Sequence, residues 1–203
     1  MKTPPQTHEQ AVLRLARKRG LLHVRDIATL DVPTVVLTRL VRAGKLERVG
    51  RGVYAPAGER GSAQRSLAEV ALRAPRGVMC LLTALRVHDI GTQSPFEVWL
   101  ALPPGVIAPR VEPKKLRIVR LSGKSLTEGI DRIHIDGVAV PVFNAAKTIA
   151  DCFKFRNKIG LDVALEALRE GWRERKVSMD ALSHYATVNR VANVMRPYLE
   201  ALV

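Results

Sequence analysis

The first sixty residues carry helical apolar patterns followed by short extended ones. Apolar residues between Val12 and Ala16 recur at helical spacing, and the pattern stops at Gly20. Thr7 and Gln10 have the spacing of a capping box, which starts this helix. A shorter helix is predicted over residues 25–30. The segment therefore opens with two consecutive helices.

A turn at residues 31–33 separates these helices from a third, predicted over residues 33–43 and ended by Gly44. Its inward residues are predicted to be Val36, Leu37, Leu40 and Val41. The stretch LERVGRGVYAP, residues 46–56, then reads as two strands joined through Gly50-Arg51-Gly52. Two helices, a turn, a third helix and a hairpin are the order of a winged helix-turn-helix.

A small and polar stretch at residues 57–62 predicts a boundary, with domains at 1–60 and 61–203. The second part predicts helices over 66–74 and 79–88, strands over 96–102 and 116–121, and a hairpin around Asp136-Gly137. Further helices are predicted to begin at Asn144, Leu161, Ser178 and Asn189. The predicted fold class is α+β: a winged helix-turn-helix, then a domain with a small, mostly antiparallel sheet and a helical C-terminal tail.

The composition allows a sizeable core, because 47% of the residues are apolar. No run of about 18 apolar residues occurs, so no membrane span and no membrane partner are predicted. The N-terminus lacks the apolar stretch of a signal peptide. Cys80 and Cys152 lie in apolar, helical surroundings, as buried thiols do in a reducing cytoplasm. A cytoplasmic location is expected.

The net charge is the most informative total. A charge of +14 and a pI near 10.6 predict an anionic partner, with nucleic acid ahead of an anionic membrane surface. Aromatic content of 4% argues against single-strand binding, which uses stacking platforms, and favours double-stranded DNA. Residues 1–60 hold 12 Lys/Arg and 5 Asp/Glu, a net charge equal to that of all the remaining residues.

Candidate DNA-contacting residues follow from the third helix and the hairpin. The outward face of the helix carries Thr34, Thr38, Arg39 and Arg42, and the hairpin tip carries Arg51. These residues could equally form a solvated face, and three-helix units also bind proteins. A basic stretch in the second domain, Lys114, Lys115, Arg117 and Arg120, is a possible second nucleic-acid surface or an ordinary solvated strand face.

No catalytic, metal or cofactor motif is evident in the sequence. The histidines are scattered, and His88-Asp89 stands at a predicted helix end without partners. Glu112-Pro113-Lys114 has the acidic-to-lysine spacing of metal-dependent nucleases, but proline does not suit a central strand. We therefore predict no enzyme activity, no metal and no cofactor, and keep a metal-dependent nuclease as the less favoured alternative.

Three segments resemble the AbiEi-type abortive-infection antitoxins. They are GLLHVRDIATLDVPTVVLTRLVRAGKLERVGRGVYAP, CLLTALRVHDIGTQSPFEVWLALP and VFNAAKTIADCFKFRNKIGLDVALEALREGW. Together they span most of residues 9–175. Their order and spacing carry the resemblance, since none is a catalytic signature.

The resemblance implies a type IV antitoxin. Such proteins repress their own operon by binding repeats in its promoter, and counter a nucleotidyltransferase toxin without a stable complex. It also implies that the third helix, with Thr34, Thr38, Arg39 and Arg42, and the wing, with Arg48 and Arg51, contact DNA. The alternative from another class is a winged-helix transcription factor with a ligand-sensing C-terminal domain.

Overall fold

The computed structural model describes residues 7–58, 64–111 and 116–202. Contacts divide the described chain into two compact units. The first runs to Pro75 and also takes in His134–Val140, and the second contains Arg76–Ile133 and the chain from Pro141 onward. The predicted boundary at residue 60 falls within the first unit, and of the predicted linker only residues 57 and 58 lie among the described residues.

The first unit has the predicted winged helix-turn-helix order, with one short strand added. Its elements are α1 (His8–Arg19), β1 (Leu22–His23), α2 (Val24–Ala28), α3 (Val35–Arg42), β2 (Leu46–Gly50), β3 (Val53–Pro56) and α4 (Arg65–Arg73). The three strands pair antiparallel in the order β1-β3-β2. The sequence did not predict β1, because two residues are too few to show a period.

Local sequence accounts for the ends of α1. The Thr7 hydroxyl accepts from the backbone N–H of Gln10, and the Gln10 side chain accepts from the N–H of Thr7, so the capping box is confirmed. Gly20 ends the helix at φ 71°, where a side chain would be strained. The core of the unit is formed by apolar residues from every helix of the trihelical part.

The hairpin turn at Asp136-Gly137 packs on the end of α1. Both residues have positive φ, 46° and 74°, as the predicted type I′ turn requires. A Cβ on Gly137 would lie 2.0 Å from the carbonyl oxygen of Arg19, so only glycine fits there. This close approach explains why His134–Val140 belongs with the first unit.

The second unit combines a sheet with helices. Its elements are β4 (Val78–Met79), α5 (Leu81–Val87), β5 (Val98–Leu102), β6 (Leu116–Arg120), α6 (Lys124–Thr127), β7 (Ile130–Ile135), β8 (Val138–Phe143), α7 (Ala145–Lys154), α8 (Arg156–Ile159), α9 (Leu161–Arg173), α10 (Met179–Val188) and α11 (Ala192–Glu200). The turn between β7 and β8, together with the strand ends beside it (His134–Val140), belongs to the first unit.

The sheet that includes β4–β8 has the described strand order β6-β5-β4-β8-β7. β4 pairs antiparallel with β5 but parallel with β8, and β5 pairs parallel with β6. The α+β class is confirmed, whereas the sheet is mixed rather than mostly antiparallel. Strand direction depends on pairing between distant segments, which local patterns do not encode.

Helix α7 forms the centre of the second unit. It packs against α5, α9, α10 and α11, and its residues from Ala146 to Phe153 are all buried. Asn144 caps it as predicted, its side chain accepting from the N–H of Lys147 at 2.9 Å. Because this helix is surrounded, its polar residues must find partners inside the protein. Lys147 and Asp151 do so with each other.

Candidate nucleic-acid interface

Helix α3 separates an apolar side from a polar one. Val36, Leu37 and Leu40 are buried, while Val41 is half-buried. The opposite side exposes every predicted contact residue of this helix: Thr34, Thr38, Arg39 and Arg42. Thr34, Thr38 and Arg42 follow one another at intervals of four residues, which places them in a row along one side of the helix.

The polar side chains of this face make no capping bond or ion pair among the described residues. Thr34 precedes the helix, but its hydroxyl makes no capping bond. Among the described residues, no carboxylate lies within ion-pair distance of Arg39 or Arg42. Their guanidinium groups therefore present unneutralised charge, with fork-shaped donors that match phosphates and guanine edges.

The wing holds Arg51 at its tip. Arg51 is exposed in the turn between β2 and β3, and Gly52 next to it has φ 72°. The carbonyl oxygen of Gly52 accepts from the backbone N–H of Val24 at 2.8 Å, which ties the wing to the start of α2. Arg48 is exposed on β2, and its Nε donates to the carbonyl oxygen of Gly50 at 3.3 Å.

Helix α4 supports the base of the wing. A Cβ on Gly50 would lie 2.2 Å from Oε1 of Glu69, so a larger residue there would displace the carboxylate that α4 places against the wing. Nη1 of Arg65 lies 3.4 Å from the carboxylate of Glu47 on β2, and its Nε lies 3.4 Å from that of Asp136. The sequence placed α4 in the second domain, but its contacts hold the wing in position.

His23 begins helix α2 and contacts the wing side of the motif. The ring Nδ1 of His23 accepts a hydrogen bond from the backbone N–H of Arg25 at 3.1 Å. The backbone N–H of His23 donates to the carboxylate of Asp26 at 2.7 Å. Burial and the charge of Arg25 lower the pKa of His23 below its ordinary 6.5, against an opposing effect of Asp26. The neutral ring is the form that can accept, so it is the form that caps α2.

Acid should weaken this cap. The lowered pKa of His23 means that the unfolded chain binds the proton first, so stability falls as the pH drops below 6.5. We expect the free energy of unfolding to fall as the pH is lowered from above 6.5 to below it, because the protonated ring cannot accept the capping hydrogen bond. Unfolding by urea over this pH range measures it. His23→Asn, which caps without titrating, should remove this part of the pH dependence; an unchanged slope would contradict the assignment.

Val35 is a candidate contact that the sequence reasoning missed. Its side chain is 50% exposed and lies one turn before Arg39 on the polar side of α3. An exposed apolar group on a recognition helix can contact the methyl group of thymine. The sequence does indicate this position, because Val35 lies four residues before Arg39, but all the predicted contacts on this helix were polar residues.

Two residues of the predicted second basic surface, Arg117 and Arg120, are among the described residues, and they lie on β6. Arg117 is exposed and forms an ion pair with Glu97, while Arg120 donates to the carbonyl oxygens of Pro103 and Val106 at 2.8 and 2.7 Å. Three residues apart on β6, the two arginines leave the strand on opposite faces. Lys114 and Lys115 lie outside the described residues.

The described residues contain neither a metal-binding cluster nor a membrane-spanning helix. Within residues 7–58, 64–111 and 116–202, no group of three or more His, Cys, Asp and Glu side chains is placed to hold a metal ion. In those same ranges, no helix has the length and apolar content to cross a membrane. Cys80 and Cys152 are buried free thiols, and burial raises the pKa of both.

The first three helices and the wing of the first unit match a known family. Residues 10–57 match the model described as "Transcriptional regulator, AbiEi antitoxin". This segment is similar to the DNA-binding part of the AbiEi antitoxin regulators. The match includes α1, α2, α3 and the wing, and confirms the resemblance seen in the first of the three segments. The other two segments lie outside the matched residues.

The match supports a role as an antitoxin and DNA-binding transcriptional regulator, as the description of the matched family states. Among solved structures, the chain is similar to the crystal structure of the RV2827C protein from Mycobacterium tuberculosis. The match has a TM-score of 0.57 and 15% identity, and covers 92% of this chain and 73% of that one. At this identity it shows a shared fold. No curated protein matches the sequence.

Proposed function

We propose that this protein is a non-enzymatic autorepressor that binds double-stranded DNA, with inverted repeats, in the promoter of its own operon. The observation that carries the proposal is the exposed face of α3 beside an arginine-tipped wing held by α2 and α4. The matched family adds the regulatory role. Its buried free thiols are compatible with a cytoplasmic location.

In this proposal, α3 enters the major groove. Arg39 and Arg42 contact base edges, and Thr34 and Thr38 contact bases or phosphates. Arg51 reaches the adjacent backbone or a narrow minor groove, with Arg48 beside it on β2. The rigid support of the wing keeps the two contacts at a fixed separation, which favours one register on the duplex.

We further propose that the protein neutralises a nucleotidyltransferase toxin encoded in the same operon, without forming a stable complex with it. This part rests on the antitoxin name of the matched family and on the resemblance of the later segments. A nucleotidyltransferase-like gene directly downstream, and rescue of cells that express it, would support this part. Copurification of the two proteins as a stable complex would contradict it.

Helix and wing should differ in what they contribute to binding. Arg39→Ala or Arg42→Ala should weaken promoter binding by about 1–3 kcal/mol and relax the sequence preference at one base pair, because a bidentate base contact is lost. Arg51→Ala should weaken all sequences about equally and lower the salt slope by about one. Electrophoretic shifts over a salt series measure both. Unchanged affinity in all three variants would overturn the assignment.

A further inference from the structure

A basic cleft lies within the second unit, and none of the residues proposed to contact DNA from α3 and the wing lines it. It has a volume of about 970 Å³ and is formed by the end of β6, α6, the end of α7 and the α10–α11 junction. Four cations line it: Arg120, Lys124, Lys154 and Arg190. The proposed DNA-binding function makes no use of this cleft.

The positive charge of the cleft is only partly neutralised. Its described lining contains no carboxylate. Glu128, next to it, lies 3.7 Å from Nζ of Lys124 and 2.9 Å from Nε2 of His184. The buried carboxylate of Asp151 already has two partners. Its Oδ1 lies 2.6 Å from Nζ of Lys147 and accepts a hydrogen bond from Nδ2 of Asn189 at 2.8 Å. Within the described chain, Lys154 and Arg190 have no carboxylate at ion-pair distance.

Two of the cations have hydrogen-bond partners that fix their position. Arg120 donates to the carbonyl oxygens of Pro103 and Val106. Lys154 is half-buried with its Nζ 3.4 Å from Oγ of Ser125, and burial lowers its pKa. Arg190 is exposed at the rim of the cleft, and its backbone has φ 59°, a conformation in which glycine is favoured.

We propose that this cleft binds a run of directly linked phosphates, as found in a nucleoside triphosphate. Several converging cations match a chain of phosphates better than a single carboxylate or phosphate. The lining has serine and threonine hydroxyls but no Phe, Tyr or Trp to stack on a base. The phosphates, rather than the base, should therefore dominate recognition.

The test uses the full-length protein and tripolyphosphate as the probe, with affinity measured by calorimetry at physiological ionic strength. Lys154→Gln/Arg190→Gly removes two cleft charges. Glycine also suits the backbone at position 190, so this variant should keep its melting temperature. Arg132→Gln/Arg169→Gln is the matched control, because both arginines are exposed in the second unit and neither lines the cleft.

We expect the cleft variant to bind tripolyphosphate about tenfold more weakly and the control to stay within about twofold of wild type. Equal losses in both variants, or no loss in the cleft variant, would overturn the proposal. A nucleoside triphosphate and a ten-nucleotide oligouridylate identify the source of the phosphates. If the oligouridylate binds more tightly than the triphosphates and is weakened equally by the cleft variant, the ligand is an RNA backbone and the proposal is wrong. If tripolyphosphate and the nucleoside triphosphate bind equally, the ligand is a small phosphate anion. Promoter binding, measured in parallel, should be the same in both variants, so failure here is distinct from failure of the DNA assignment.

Discussion

Replacing Lys147 with methionine is expected to destabilise the protein by about 3–5 kcal/mol, because it leaves the carboxylate of Asp151 buried without its counter-charge. Nζ of Lys147 lies 2.6 and 2.7 Å from the two oxygens of Asp151, and the side chains are 0% and 1% exposed. Burial raises the pKa of Asp151 even with the lysine present. In the variant, protonation should relieve the penalty, so the loss of stability should shrink as the pH falls.

Two further variants show whether the loss of stability comes from the unpaired buried charge. Lys147→Met/Asp151→Leu should recover much of the loss, because a matched apolar pair carries no buried charge. Lys124→Met breaks an exposed pair at the same spacing, 3.7 Å from Glu128, and should cost less than about 0.5 kcal/mol. Urea unfolding measures all of them. A loss for Lys147→Met no larger than that for Lys124→Met would show that the pair is not a structural element.

Arg39→Ala/Arg42→Ala/Arg51→Ala should lose repression while cells remain protected from the toxin. Two lost base contacts and one lost phosphate contact should lower promoter affinity by at least about a hundredfold. The second unit has its own core, and exposed substitutions usually change stability by less than about 0.5 kcal/mol. The separation of the two activities is therefore the expected result.

The measurement is paired: reporter repression and growth under induced toxin, at matched protein levels. A control variant removes the same charge from exposed positions of the second unit, Arg110→Ala/Arg132→Ala/Arg169→Ala, and should keep repression. Loss of both activities in the DNA-face variant at normal abundance would mean that repression and neutralisation share a surface. The proposal of separate surfaces would then be wrong.

The sequence predicted the parts of the fold that depend on neighbouring residues. The capping box of Thr7 and Gln10, the inward side of α3 and the type I′ turn at Asp136-Gly137 were all predicted and are all observed. Caps and turns are decided by residues within four positions of one another, and amphipathic helices by a short period. These signals are legible in a single sequence.

Features that depend on distant contacts were missed. β1 and β4 are two residues long and exist because other strands pair with them, and the sequence read Met79 of β4 as the start of a helix. The basic cleft was also not predicted, because its cations come from four separate parts of the second unit. Of these cations, the sequence singled out only Arg120, as part of a basic stretch. On β6, Arg117 and Arg120 of that stretch point to opposite faces.

The central claim is that the winged helix recognises the promoter of its own operon. Fluorescence anisotropy at physiological salt tests it most directly, with the wild-type protein, that promoter and a shuffled duplex of equal length and composition. The account predicts that the promoter binds about a thousandfold more tightly or better, as specific regulators do. Equal affinity for the two duplexes would contradict it, because the charge of +14 alone would then account for the binding.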